Sequence, residues 1–237
     1  MKPTRRNFTS TIALSLIGAG AMLFCLASHL TAAESAAKKV VCLGDSITHR
    51  GYPKVLGELL KMNAINAGVS GQNSKAGLAR LKKDALDQKP DVVVLLFGTN
   101  DSRLDSSSAH VEIPKFSENL TSIIRQSREA GAKVVLCTMS PINEEKYFTR
   151  HKKADFESAG GLGAVLTKYR EAIQAVGKKE GATVLNLNQS LEYDATWLSA
   201  DGVHPTEAGN KHVAELVAEV VGPMLKAEAP KPATDKP

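Results

Sequence analysis

Residues 91–97 (DVVVLLF) constrain this chain more than any other stretch. Six consecutive apolar residues read as a strand buried on both faces, which belongs in the centre of a parallel sheet covered by helices. Shorter runs of the same kind lie at 39–43, 64–69, 133–138 and 183–187. Between them the periodicity predicts helices over 52–62, 75–88, 115–130 and 164–179, and a last one over 206–221 that stops before Gly222-Pro223. Repeated strand–helix units predict a three-layer α/β/α sandwich.

The 237 residues divide into three parts. Residues 1–33 read as a signal peptide: Lys2, Arg5 and Arg6 come first, 11–30 are uncharged and mostly apolar, and Thr31-Ala32-Ala33 offers a cut site. Thr4-Arg5-Arg6-Asn7-Phe8 resembles a twin-arginine export signal. The alternative is an uncleaved anchor, since 20 apolar residues can span a bilayer. Cys25 is preceded by Phe24, where a lipoprotein pattern needs a small residue. Residues 34–226 form one domain, long enough for a well-buried core. The Pro-, Ala- and Lys-rich residues 227–237 read as a disordered tail.

The net charge is +5, but the leader supplies three bases and no acid, so the rest carries only +2. That is too little for a nucleic-acid footprint. Cleavage of the leader predicts no stable membrane association; the oligomeric state stays open. Cys42 and Cys137 each sit in an apolar run, where the preferred reading is a small hydrophobe in a sheet and the alternative, in an exported protein, a disulfide.

Ligands of such sheets bind beyond the carboxyl ends of the strands. Three polar clusters fall on that rim: Gly44-Asp45-Ser46-Ile47-Thr48, Gly68-Val69-Ser70-Gly71 and Gly98-Thr99-Asn100-Asp101. Before the last helix, Asp201-Gly202-Val203-His204 sets an acid and a histidine three residues apart. Taken singly, each is commoner as a cap or turn. Together they supply a hydroxyl, a base, a carboxylate to orient the base, and donors for an oxyanion.

These four blocks, Gly-Asp-Ser-Ile-Thr, Asn66-Ala-Gly-Val-Ser-Gly71, Gly-Thr-Asn-Asp and Asp-Gly-Val-His, resemble in content and order those of the SGNH, or GDSL-type, hydrolases. The resemblance implies a flavodoxin-like five-stranded sheet of order 2-1-3-4-5. It also implies Ser46 as nucleophile, His204 as base and Asp201 as its partner. The oxyanion donors it implies are the Ser46 and Gly71 backbone N–H groups and the Asn100 side chain. No metal or organic cofactor is required. Asp45 and Asp101 are expected to cap and tie loops. His49, Arg50 and Arg103 are candidate substrate contacts, whereas His110, His151 and His212 are expected at the surface.

The connection at 140–163 is long and polar, which suits a hydrophilic substrate. The expected activity is hydrolysis of short-acyl, first of all acetyl, esters of a small molecule or polysaccharide. Lysophospholipase or thioesterase activity is the alternative, with O-acetyl transfer on the same fold or a carbohydrate-binding relative without activity as further classes.

Overall fold

The computed structural model describes residues 37–190 and 196–226. The expected signal peptide over 1–33 and the expected disordered tail over 227–237 lie outside the described residues. Five parallel strands, β1 (Val40–Gly44), β2 (Ala64–Gly68), β3 (Val92–Leu96), β4 (Lys133–Cys137) and β5 (Thr183–Leu185), form one sheet of order β2-β1-β3-β4-β5. The order is the one implied by the family resemblance.

Strand side chains alternate between two cores, as the pleat dictates. Val41, Leu43, Val93, Leu95, Val134 and Leu136 face α3 (Ser74–Asp84), α4 (Ile113–Glu129) and α7 (Leu162–Glu180). Val40, Cys42, Val92, Val94, Leu96, Val135 and Cys137 face α2 (Tyr52–Leu60) and α9 (Glu207–Lys226). The short helices α1 (Ser46–His49), α5 (Glu144–Tyr147), α6 (Ala154–Glu157) and α8 (Leu187–Ser190) lie in connections. No helix among the described residues is long and apolar enough to cross a membrane.

Cys42 and Cys137 are free and buried, and burial pushes the Cys42 thiol up to about 12. They face one core from β1 and β4, with β3 between them. Two strand spacings are roughly 10 Å, beyond the about 7 Å between Cα atoms that a disulfide can bridge.

Some boundaries differ from the sequence reading. α9 continues through Pro223 to Lys226 rather than stopping at residue 221. Pro223 lies in the last turn, where Met224 and Leu225 still pack on the core and Lys133 Nζ donates to the Met224 carbonyl (2.6 Å). The helix expected over 75–88 ends at Asp84, and Leu86–Gln88 form a separate 3₁₀ turn. The last strand is three residues long, because Leu187 already opens α8.

The register places Gly44 beside both Gly68 and Leu96, so the first three strands end level. α1 crosses those ends closely. A Cβ on Gly68 would stand 2.2 Å from the His49 backbone nitrogen, and one on Gly44 would stand 2.1 Å from the Thr48 hydroxyl of α1 and 2.7 Å from the Leu96 carbonyl oxygen of β3. Only glycine allows that approach.

Behind the rim, Asp101 Oδ1 accepts from the backbone and hydroxyl of Ser74, whose oxygen accepts from Asn119 Nδ2 (3.0 Å). This joins the loop after β3 to α3 and α4. Asp101 Oδ2 is buried without a partner among the described residues. Burial therefore pushes the carboxyl up to about 6, against the opposing pull of the Ser74 donors.

A carboxyl whose native pKa lies above its unfolded value costs stability as pH rises between the two, here from about 4 through about 6. Asp101→Asn keeps the acceptor for Ser74 and removes the charge. Urea unfolding is expected to find the variant more stable than the parent at pH 8, by on the order of 1–2 kcal/mol, with the gap closing near pH 4. A variant equally destabilised at both pH values would refute the assignment.

Candidate active site

Asp45 is the N-cap of α1: its Oδ1 accepts from Ile47 N (2.9 Å), which leaves Ser46 as the first helical residue at the ends of β1 and β2. His204 reaches Ser46 from the turn before α9, with Nε2 2.8 Å from Ser46 Oγ. Its Nδ1 lies 2.6 Å from Asp201 Oδ2. Asp201 Oδ1 accepts from Ser199 Oγ (2.8 Å), Val203 N (2.9 Å) and His204 N (2.9 Å). Burial alone would raise the Asp201 carboxyl. The hydrogen bonds from the His204 and Val203 backbone, the His204 ring and the Ser199 hydroxyl outweigh it and hold the group well below the usual carboxylate range. Asp201 is thus an acceptor, so His204 Nδ1 carries the proton and Nε2 presents its lone pair to the Ser46 hydroxyl.

Two backbone donors beside this hydroxyl have no acceptor among the described residues. One is Ser46 N–H, in the first turn of a helix, where no intrahelical acceptor exists. The other is Gly71 N–H, in a turn with φ of +77°. Asn100 Nδ2 donates to the Gln72 carbonyl (3.0 Å), and its only other hydrogen-bond contact among the described residues is Asp45 Oδ2 at 3.4 Å, long for such a bond. Asp45 is fully buried, and burial pushes its carboxyl up to about 7, Asp101 adding to the rise and the Ile47 N–H opposing it.

Ser46, Gly71, Asn100 and His204 line one cavity of about 250 Å³, joined by Arg50, Arg103, Tyr147, Arg150 and His151. Arg50 and Arg103, named above as candidate substrate contacts, line this cavity. His49 does not: it is exposed outside the cavity lining, with Nδ1 3.2 Å from the Gly68 carbonyl oxygen. His151 corrects the expectation of a surface position. It forms part of the cavity wall, because the long connection folds its two short helices over the rim: Asn143 N donates to the Gly202 carbonyl (2.8 Å), and Arg150 Nη2 is 3.5 Å from Asp201 Oδ2. His110 is half-buried, with Nδ1 2.8 Å from the Asp101 carbonyl oxygen. His212 lies against Trp197.

Sequence reasoning missed Tyr147, Arg150 and His151 individually. The length and polarity of the 140–163 connection were the signal for them. It also missed Arg80, whose guanidinium donates to the carbonyls of Gly44 (2.8 Å) and Ala67 (2.6 Å) and to Gln72 Oε1, tying the first two loops together. Among the described residues, no group of three or more His, Cys, Asp or Glu is placed to hold a metal ion.

Residues 42–212 match the family model of the GDSL-like lipase/acylhydrolases. The chain is 34% identical over 161 residues to the uncharacterized lipoprotein YqeF of Bacillus subtilis strain 168, an alignment covering 59% of this chain and 66% of that protein. Esterase TesA of Pseudomonas aeruginosa is 27% identical, with 85% of this chain and 96% of the relative covered. An acetylxylan esterase of Xylanibacter ruminicola is 27% identical over 81% of this chain and 45% of its own length. This chain therefore spans about two thirds of the first of these relatives and under half of the last. In fold it resembles a lipase/acylhydrolase from Enterococcus faecalis, with a TM-score of 0.66, 23% identity, and coverage of 82% of this chain and all of that one. With 171 of its 237 residues inside the family model, the chain belongs to the GDSL-like lipase/acylhydrolase family, and with it to the carboxylic ester hydrolases.

Proposed function

We propose that this protein is an exported serine esterase that removes short acyl groups, acetyl first of all, from carbohydrate esters. The observation that carries the reading is the continuous hydrogen-bonded line from Ser46 Oγ through His204 to Asp201, at 2.8 and 2.6 Å. Such a line is the working part of a nucleophile activated by an oriented base.

In this reading, His204 Nε2 takes the Ser46 proton as Oγ bonds to the ester carbon. Negative charge builds on the former carbonyl oxygen. The Ser46 and Gly71 N–H groups, without acceptors of their own, meet it together with the Asn100 amide hydrogen that now has only the long contact to Asp45. The bond to the alcohol then breaks, and the alcohol leaves with the proton from His204. Water repeats the sequence on the acyl-serine, releasing the acid and restoring Ser46. Asp201 keeps its charge throughout, which holds the tautomer and stabilises the imidazolium.

A cavity of about 250 Å³ is small beside the roughly 300–1,000 Å³ of drug-sized ligand sites, which supports a short acyl group over a lipid chain. Its arginine, tyrosine and histidine lining supports a polar alcohol. Arg50 lies four residues after Ser46, hence one helical turn along the same face, and its side chain has no partner among the described residues. It is free to meet a substrate oxygen, whereas Arg103, which lines the same cavity, is paired with Asp105. The names of relatives, an acetylxylan esterase and a lipoprotein among them, agree with a glycan ester met outside the cytoplasm. The leader over residues 1–33 supports the same location.

Ser46→Ala is expected to fold normally and to lose activity on p-nitrophenyl acetate by about 10⁴-fold or more. Fluorophosphonate labelling of the parent should modify Ser46; a labelled residue elsewhere, with turnover surviving in the variant, would remove the nucleophile assignment. Asn100→Ala should lower kcat by about 10²–10³-fold with little change in KM, because its donor matters most where charge develops. Asn100→Asp, which sets a negative charge against the oxyanion, should be worse still. Steady-state kinetics on folded variants checks both, and an unchanged kcat would take Asn100 out of the oxyanion site. Intact-mass measurement of the secreted protein should find a mature chain beginning near Glu34. A membrane-bound species retaining residues 11–30 would favour the anchor.

A further inference from the structure

The cavity that holds the catalytic pair is lined by a second imidazole wired like the first. His151 Nδ1 lies 2.7 Å from Asp105 Oδ2. Arg103 holds the same carboxylate, with Nη2 3.1 Å from Oδ2 and Nε 3.3 Å from Oδ1. Burial would raise Asp105, but the Arg103 and His151 hydrogen bonds lower it on balance, so it is a charged acceptor. His151 Nδ1 is therefore the donor to Asp105, and it is Nε2 that carries the lone pair in the neutral form of the ring. The ring is stacked on Tyr147, at 4.0 Å between centroids and 14° between planes, so it has little freedom to turn.

The two histidines differ in one respect. His204 Nε2 is engaged with Ser46 Oγ, whereas His151 Nε2 has no partner among the described residues and its ring lines the same cavity. An ordered acceptor on a half-buried side chain, 13% exposed, is a site built for a donor. Ser46 already has its base, so within the cavity this nitrogen is open to a donor on the substrate. Resting on the esterase reading above, we infer that His151 Nε2 accepts a hydrogen bond from a free hydroxyl on the alcohol part of the ester, which makes His151 a specificity residue for polyhydroxylated alcohols such as sugars. Asp105 and Arg103 are its positioning residues.

The test compares kcat/KM on a monoacetylated methyl glucoside, which has free hydroxyls, with that on p-nitrophenyl acetate, which has none. In His151→Phe the flat ring and its stacking on Tyr147 remain but the acceptor is lost; the glucoside-to-phenyl ratio is expected to fall about tenfold. His151→Gln, whose amide oxygen reaches the same region, should recover part of that ratio. An unchanged ratio in His151→Phe, or an equal fall in both variants, overturns the inference while leaving the esterase reading in place. A parent protein that cleaves p-nitrophenyl acetate but not the glucoside overturns the carbohydrate reading and the role of His151 with it. A parent active on neither overturns the esterase reading itself.

Discussion

The site depends on the close approach of α1 to the ends of β1 and β2. Gly44 and Gly68 leave no side chain between helix and sheet, and Asp45 caps the helix from inside the protein. Ser46 is thereby fixed in the first helical turn, with its own N–H unspent. Arg80 secures the arrangement from one side. Its guanidinium, 12% exposed, binds the carbonyls at the ends of both strands and the side chain of Gln72. The Gln72 carbonyl in turn holds Asn100. A scaffold guanidinium thus links the two loops that contribute Ser46 and Gly71 to the amide on the third.

The carboxylates around this rim divide by hydrogen bonding, not by residue type. Asp201 collects four donors and is held ionised, which suits a group that must orient a histidine and face its positive charge. Asp45 and Asp101 are more deeply buried and meet fewer donors, so both are pushed upward. They hold loop backbones and side chains in place, and the stability they contribute is sensitive to pH in the opposite sense from that of Asp201.

The connection between β4 and α7 gives the cavity its character. It docks on the Asp201–His204 turn through Asn143 and Arg150, and Gly202 accepts that contact with a φ of +72° where a Cβ would stand 2.8 Å from the Asn143 carbonyl oxygen. One segment therefore supports the turn bearing His204 and supplies the wall on which Tyr147, Arg150 and His151 stand. Changes in that segment are expected to couple substrate choice to the geometry of the acid–base pair.

The sequence by itself determined the layers and, through its resemblance to a known family, the strand order, and it marked Ser46, Gly71, Asn100, Asp201 and His204 as candidates. Those features are local. Continuous apolar runs, helical stripes and turn glycines beside polar residues are written in neighbouring letters. The tertiary structure alone decided which distant groups share a cavity. It brought His151 into the lining of the cavity that holds Ser46, left His49 outside, and put Arg80 beneath two strand ends 13 and 36 residues away. It also ruled out a disulfide, because β3 separates Cys42 from Cys137, and carried the last helix past Pro223, because packing and the Lys133 contact hold that turn. Each of these outcomes depends on residues far apart in the chain meeting at one place, and no local pattern records such a meeting.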